Sequence, residues 1–170
     1  MLSKSVSPDT VFGSFSKLFN TRDVIQNHKA YHLMLAEAKL IDRVIRAKGR
    51  AEKVDYLCAI SIFKREYGLS GLETKELFKT IHEGQGSSAK TKVFTNALKK
   101  NIEPERLVKV LEALWLVACA NGKIEQSERS ISARITRAVG LSDEDSMTAL
   151  KRAHRRNQIM QTDLFSKPLF

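Results

Sequence analysis

Apolar residues recur along this chain at helical spacing, and they do so in two similar runs. Residues 40–78 read LIDRVIRAKGRAEKVDYLCAISIFKREYGLSGLETKELF, and residues 113–150 read ALWLVACANGKIEQSERSISARITRAVGLSDEDSMTAL. Each run holds an apolar helix, a glycine break, a second helix, a Gly-Leu-Ser turn and a third helix. Gly49 aligns with Gly122, and the Gly-Leu-Ser turns fall at 68–70 and 140–142 with one residue of slippage. A unit of this size cannot bury its apolar face alone and buries it against its twin. The expected fold is all-α: a compact bundle of about seven helices built from an internally duplicated three-helix unit, with copies at 33–80 and 107–155.

The first long helix is expected over Lys29–Lys48, with Leu33, Leu40, Ile41, Val44 and Ile45 as its buried stripe. Gly49 stops it, as glycine does just past a helix end. A second helix runs to Tyr67, with Val54, Leu57, Cys58 and Ile62 inward, and Gly68 closes it. Ser70 and Glu73 have the spacing of a capping box and start a third helix ending near Glu83. The stretch 84–88, GQGSS, reads as a linker between the copies. A basic helix follows over 90–100. Pro104 suits the first turn of the next helix, where Leu107, Val110, Leu111, Leu114, Val117 and Ala118 keep the i, i+3, i+4, i+7 spacing. Gly122 and Gly140 bound a helix over 125–139. Ser142 and Asp145 repeat the capping pattern, and the last helix is expected to end near Met160. No strand-like alternation competes with this reading.

The helical domain is therefore expected over 29–160. Residues 1–28 read as an N-terminal extension with a short amphipathic stretch (Val11, Phe12, Phe15, Leu18, Phe19), and 161–170 as a loosely ordered tail. No run approaches the roughly 18 consecutive apolar residues of a membrane span, and the N-terminus lacks the apolar core of a secretory signal. Both point to the cytoplasm, where Cys58 and Cys119, in apolar helical settings, are expected as buried free thiols.

Charge changes the picture more. The 170 residues carry 29 Lys and Arg against 19 Asp and Glu, a net charge of +10. Such an excess favours an anionic partner: nucleic acid, anionic lipid or an acidic protein. The densest cluster is Lys151, Arg152, Arg155 and Arg156, on the expected last helix. A second gathers Lys90, Lys92, Lys99 and Lys100.

The segment LEALWLVACANGKIEQSERSISARITRAVGLSDED resembles the TerB-like family, which includes tellurite-resistance proteins and a membrane-proximal domain of some J-domain co-chaperones. The family pattern is an apolar helix ending in Ala-Asp-Gly, a Glu about seven residues after the Asp, and Gly-Leu-Ser before a third helix. Ala120, Gly122, Glu128, Gly140, Leu141 and Ser142 match it; Asn121 stands where the Asp is usual. In the first copy Ala47, Gly49, Gly68, Leu69 and Ser70 match, Asp55 replaces the Glu, and Lys48 replaces the Asp. The resemblance implies that the acidic turns contact metal ions. Here it leaves Asn121, Glu128 and Asp55 as the candidate ligands. A hard cation wants several anionic oxygens, and one carboxylate per turn with a lysine at position 48 falls short of that. No metal and no cofactor is expected. Asp55 and Glu128 are instead expected to reach back to backbone N–H groups of the turns, or to pair with a nearby base.

The remaining constellations are weaker. His28 and His32 have the spacing of a zinc pair, but Lys29 stands where a zinc protease has Glu, and no third ligand is evident. GQGSS lacks the lysine of a phosphate-binding loop. The segment 131–156 can be read as a helix-turn-helix, yet Asp143, Glu144 and Asp145 occupy the end of its last helix that would face DNA. Gln161, Leu164 and Phe165 resemble the extended peptide that docks on the bacterial sliding clamp; folding of the tail onto the core competes with it. No catalytic set is visible. The sequence points to a non-enzymatic, cytoplasmic helical interaction module with a stress association implied by the resemblance. The alternative is a basic protein binding nucleic acid through its Lys/Arg clusters.

Overall fold

The computed structural model describes residues 28–83 and 91–166, with side chains over 29–82 and 91–162. Seven helices make up this part: α1 His28–Ala47, α2 Lys53–Tyr67, α3 Gly71–Glu83, α4 Thr91–Asn101, α5 Pro104–Ala118, α6 Gln126–Val139 and α7 Asp143–Ser166. No strand occurs among the described residues. The amphipathic stretch expected within 1–28 and the linker expected at 84–88 lie outside them.

The core is organised around α5. Every residue from Val110 to Ala120 is buried, including Glu112. A helix apolar on all sides has no solvent face and must be enclosed. The sequence spacing predicts one apolar stripe here; the structure instead covers α5 from several directions. α7 makes the most extensive contact, α1 packs on another side, and α2, α4 and α6 complete the enclosure. Trp115 lies in this interior, 6% exposed, and its Nε1–H donates to Ser146 Oγ of α7 at 3.1 Å.

The helices end where backbone chemistry dictates. Gly68 and Gly140 take the left-handed conformation past α2 and α6, with φ of 69° and 81°. The next N–H in each case reaches back across the helix end: Leu69 N–H donates to the Phe63 carbonyl at 3.3 Å, and Leu141 N–H to the Thr136 carbonyl at 3.1 Å. This double closure satisfies carbonyls that would otherwise be orphaned. The next helices start with the expected caps. Ser70 N–H donates to Glu73 and Glu73 N–H to Ser70 Oγ; Ser142 and Asp145 repeat the exchange.

One boundary differs from the sequence reading. α7 continues past Met160 to Ser166. No glycine or proline interrupts 143–166, so no stop signal exists where the periodicity fades.

Gly49 and Gly122 have φ of 81° and 85°, and a β-carbon at either would meet nothing within 4 Å. The penalty for a side chain there is purely conformational. Gly122→Ala is expected to lower stability by about 1 kcal/mol, measured by urea unfolding. Gly71, at the start of α3, has no positive φ and only an ordinary 3.7 Å neighbour for an added methyl. Gly71→Ala should cost nothing by the same measurement.

Candidate functional site

The α1–α2 and α5–α6 turns have the same construction. In each, the third residue of the following helix is an acid whose carboxylate takes a backbone N–H from the residue before that helix. Glu52 N–H donates to Asp55 Oδ2 at 2.8 Å, and Glu125 N–H donates to Glu128 Oε2 at 2.8 Å. Asp55 and Glu128 are each 1% exposed. The fold brings them into one electrostatic neighbourhood, because α1 packs on α6 while α2 packs on α5. Lys48 supplies the counter-charge. Its Nζ lies 3.0 and 2.9 Å from the two oxygens of Asp55 and 3.6 Å from Glu52, and its side chain is 1% exposed. Burial alone would lower its pKa, but the Asp55 hydrogen bond and the charges of Asp55, Glu52 and Glu128 outweigh it and hold the ammonium above the ordinary lysine range. Burial raises the Glu128 pKa; the Glu125 N–H and the Lys48 charge work against that rise. Asn121 does not join the cluster. It is exposed, and its Oδ1 accepts the Lys123 N–H at 3.0 Å within its own turn.

A second feature is a groove between α2 and α3. Its volume is about 540 Å³, within the ordinary range for binding sites. Tyr56, Ile60 and Phe78 form an apolar floor, Lys75 and Lys79 stand at the lip, and His82 closes one end. Leu57 and Leu72 lie on the same helical faces, 52% and 65% exposed. At the His82 end a polar network ties three helices. Arg46 donates to His82 Nδ1, Tyr56 Oη sits 3.1 Å from His82 Nε2, and the fully buried Asp42 lies 3.1 Å from Arg46 and 3.4 Å from His82. Burial lowers the His82 pKa and the Arg46 charge lowers it further, while Asp42 pulls the other way.

The basic cluster of α7 is divided. Lys151, Arg152 and Arg155 are exposed. Arg156 is not: its guanidinium donates to Glu112 of α5 at 2.8 Å, compensating a carboxylate inside the core. Of the tail motif, Gln161 is exposed and helical; Leu164 and Phe165 continue the helical backbone, but their side chains lie outside the described residues. A helical 161–166 does not present the extended peptide that clamp docking needs. His32 is exposed and edge-on to Tyr31, and the His28 side chain lies outside the described residues.

Residues 34–151 match the family described as tellurite resistance protein TerB. The chain belongs to the TerB family. Neither the curated proteins nor the solved structures give a significant match. The metal that the resemblance implies can now be tested against this TerB domain's own residues. They do not fit it. Asp55 is already paired with the buried ammonium of Lys48 at 2.9 Å, and Asn121 is turned away into its own turn, so the candidate ligands are not gathered around one point. Among the described residues, no three His, Cys, Asp or Glu side chains are gathered as a metal set.

Sequence reasoning missed two buried acids on the core face of α1, Glu37 and Asp42, both 0% exposed. Glu37 accepts from Tyr67 Oη and from the Arg106 guanidinium, the latter at 3.2 Å. The signal was present: Glu37 falls four residues after Leu33 and four before Ile41, on the buried stripe, and an acid there requires a partner. The thiols are buried and inert. Burial pushes Cys58 up to about 12 and Cys119 to about 11.

The His82 network gives a pH signature. A depressed pKa means that the folded state resists protonation, so His82 contributes stability that is present above its unfolded value of about 6.5 and lost as pH falls through its folded value. The difference in unfolding free energy between the wild type and His82→Gln should therefore shrink as pH is lowered from about 7 toward 5. Urea titrations across that range check it.

Proposed function

We propose that this TerB domain is a non-enzymatic protein-interaction module, and that its α2–α3 groove seats an acidic amphipathic helix of a partner protein. The observation that carries this reading is the pairing of apolar floor and basic lip. Tyr56, Ile60 and Phe78 offer a hydrophobic trough, and Leu57 and Leu72 extend it at exposures unusual for leucine. Lysines border both sides. Lys53 and Lys64 share the α2 face with Leu57 and Ile60 at helical spacing, and Lys75 and Lys79 share the α3 face with Leu72. A helix with apolar anchors at i, i+3, i+4 and i+7 and flanking carboxylates complements this surface in shape and charge. The non-enzymatic part is supported by the chemistry of the reactive groups, since both thiols are raised by burial and His82 is held between Arg46, Asp42 and Tyr56. The family's tellurite-resistance description supports a stress setting, and we place the module in the cytoplasm. The reading includes descent of the two halves from one duplicated unit, supported by their matching caps and positive-φ glycines.

A second reading rests on α7. Lys151, Arg152 and Arg155 are exposed together, and no acid interrupts 146–160. This face would hold nucleic acid by sequence-blind electrostatics, with affinity falling steeply as salt rises.

A photo-cross-linking residue placed at Leu72, and separately at Arg155, distinguishes the two. The groove reading predicts protein adducts from position 72 that survive nuclease and disappear on reversal of Lys75 and Lys79 to Glu. Adducts from position 155 alone, removed by nuclease and by raised salt, would replace it with the nucleic-acid reading.

A further inference from the structure

We infer that the cleft where α1, α4, α5 and α6 meet binds a phosphate monoester, with the lysines at the end of α4 as its anion clamp. The cleft is separate from the α2–α3 groove and from the basic face of α7, and it depends on neither reading.

Three observations carry it. First, a cavity of about 570 Å³ opens between these helices, a size ordinary for small-molecule sites. Its lining comes from Lys29 at the start of α1, the end of α4, the α4–α5 connection, the start of α5 and the end of α6. Second, Lys29, Lys99 and Lys100 all line it, against one acid, Glu103. None of the three lysines forms an ion pair with a described residue. A cleft lined by one sign of charge concentrates counter-ions. Third, Lys99 is held in place. A β-carbon on Gly140, at the end of α6, would lie 3.1 Å from both Cε and Nζ of Lys99. The lysine side chain therefore lies across the bare glycine, and its ammonium sits beside the carbonyl end of α6, which favours a cation. The corresponding Gly68 has nothing within 4 Å of such a carbon.

The charge of the lining selects the ligand. Three ammoniums and one carboxylate give it a formal charge of +2. A phosphate monoester carries about −1.5 to −2 at neutral pH and balances that charge; a carboxylate brings only about half as much. Ammoniums are also suited to phosphate as strongly hydrogen-bonding point charges. Ile102, Val139 and Leu141 supply an apolar wall for the organic body of the ester. The acids at the start of α7 do not contest the cleft. Asp145 is engaged by the N–H and hydroxyl of Ser142, and Asp143 and Glu144 lie outside the lining.

The test is a titration of the isotope-labelled full chain with phenyl phosphate, inorganic phosphate and benzoate, followed by two-dimensional amide NMR at ~0.15 M salt. Phenyl phosphate should saturate with a dissociation constant below about 1 mM, shifting the amides of 99–103 and 139–141 together. Inorganic phosphate should shift the same amides and bind more weakly, for want of the apolar contact. Benzoate, with the ring but a single charge, should also bind more weakly. Lys99→Gln/Lys100→Gln should weaken phenyl phosphate roughly tenfold. Gly140→Ala should weaken it as well, because the new methyl displaces Lys99, whereas Gly68→Ala carries the same backbone strain and should leave binding unchanged. Sedimentation with vesicles containing phosphatidic acid identifies the source of the phosphate. Co-sedimentation that the double lysine variant loses assigns it to a lipid headgroup; phenyl phosphate binding without co-sedimentation assigns it to a soluble ester; either supports the site. Shifts that do not saturate, shifts centred on 151–155 instead, or affinity unchanged in the double lysine variant would overturn the proposal. That last comparison stands even if Gly140→Ala fails to fold.

Discussion

Enclosure of α5 is the constraint on which the rest of the structure depends. From Val110 to its end at Ala118, and on through Ala120, the chain offers no face to water. A typical core leucine contributes roughly 1.5–3 kcal/mol by leaving water, and a domain of this kind stands only about 5–15 kcal/mol above its unfolded state. Leaving one flank of α5 open would forfeit much of that margin. The long α7 covers the widest flank, and α1 covers another. The remaining helices complete the shell. The order of elements in the chain matters less than the requirement that five of them meet around one.

Charge is distributed to suit that enclosure. Several acids lie within or against the core: Glu37, Asp42, Asp55, Glu112 and Glu128. All but Glu128, which takes the Glu125 N–H, have a basic side chain as partner. Glu37 meets Arg106, Asp42 meets Arg46, Asp55 meets Lys48, and Glu112 meets Arg156. Each of these links joins different helices or spans a turn, apart from the Asp42–Arg46 pair within α1, which reaches α3 through His82. A buried ion pair gains little over an apolar pair of the same size, because desolvation offsets the attraction; losing one partner is what costs. These pairs therefore act on register. They penalise any packing of the helices that separates an acid from its base. Pairing uses acids and bases alike, so it leaves the net charge of +10 in place.

The fold was legible in the sequence because its signals are local. Gly68, Gly140, Ser70 and Ser142 mark helix ends by backbone chemistry that acts within one turn, and those ends fall where the spacing puts them. Other features were not legible. The end of α7 was missed because nothing in 161–166 stops a helix, and fading periodicity is not a stop signal. The all-round burial of α5 was read as a stripe because periodicity reports one apolar face and cannot count how many neighbours a helix will have. At the paired turns the residue types were readable, including the ammonium at position 48. Their burial was not, since it depends on the packing of α1 on α6 and of α2 on α5. The α2–α3 groove left no sequence trace either: Leu57 reads as a core residue by spacing and is half exposed.

That cross-packing has a consequence for how the molecule can be divided. α1 belongs to the first half by sequence and rests on α6 of the second; α2 rests on α5. The halves are interlocked, so neither holds a complete core of its own. Separated at the 84–88 connection, each piece would expose the surface the other covers, and the two would be expected to recombine as complementary fragments. The chain is in this sense one folding unit written in two clauses. Any shortening that removes either clause removes the protein.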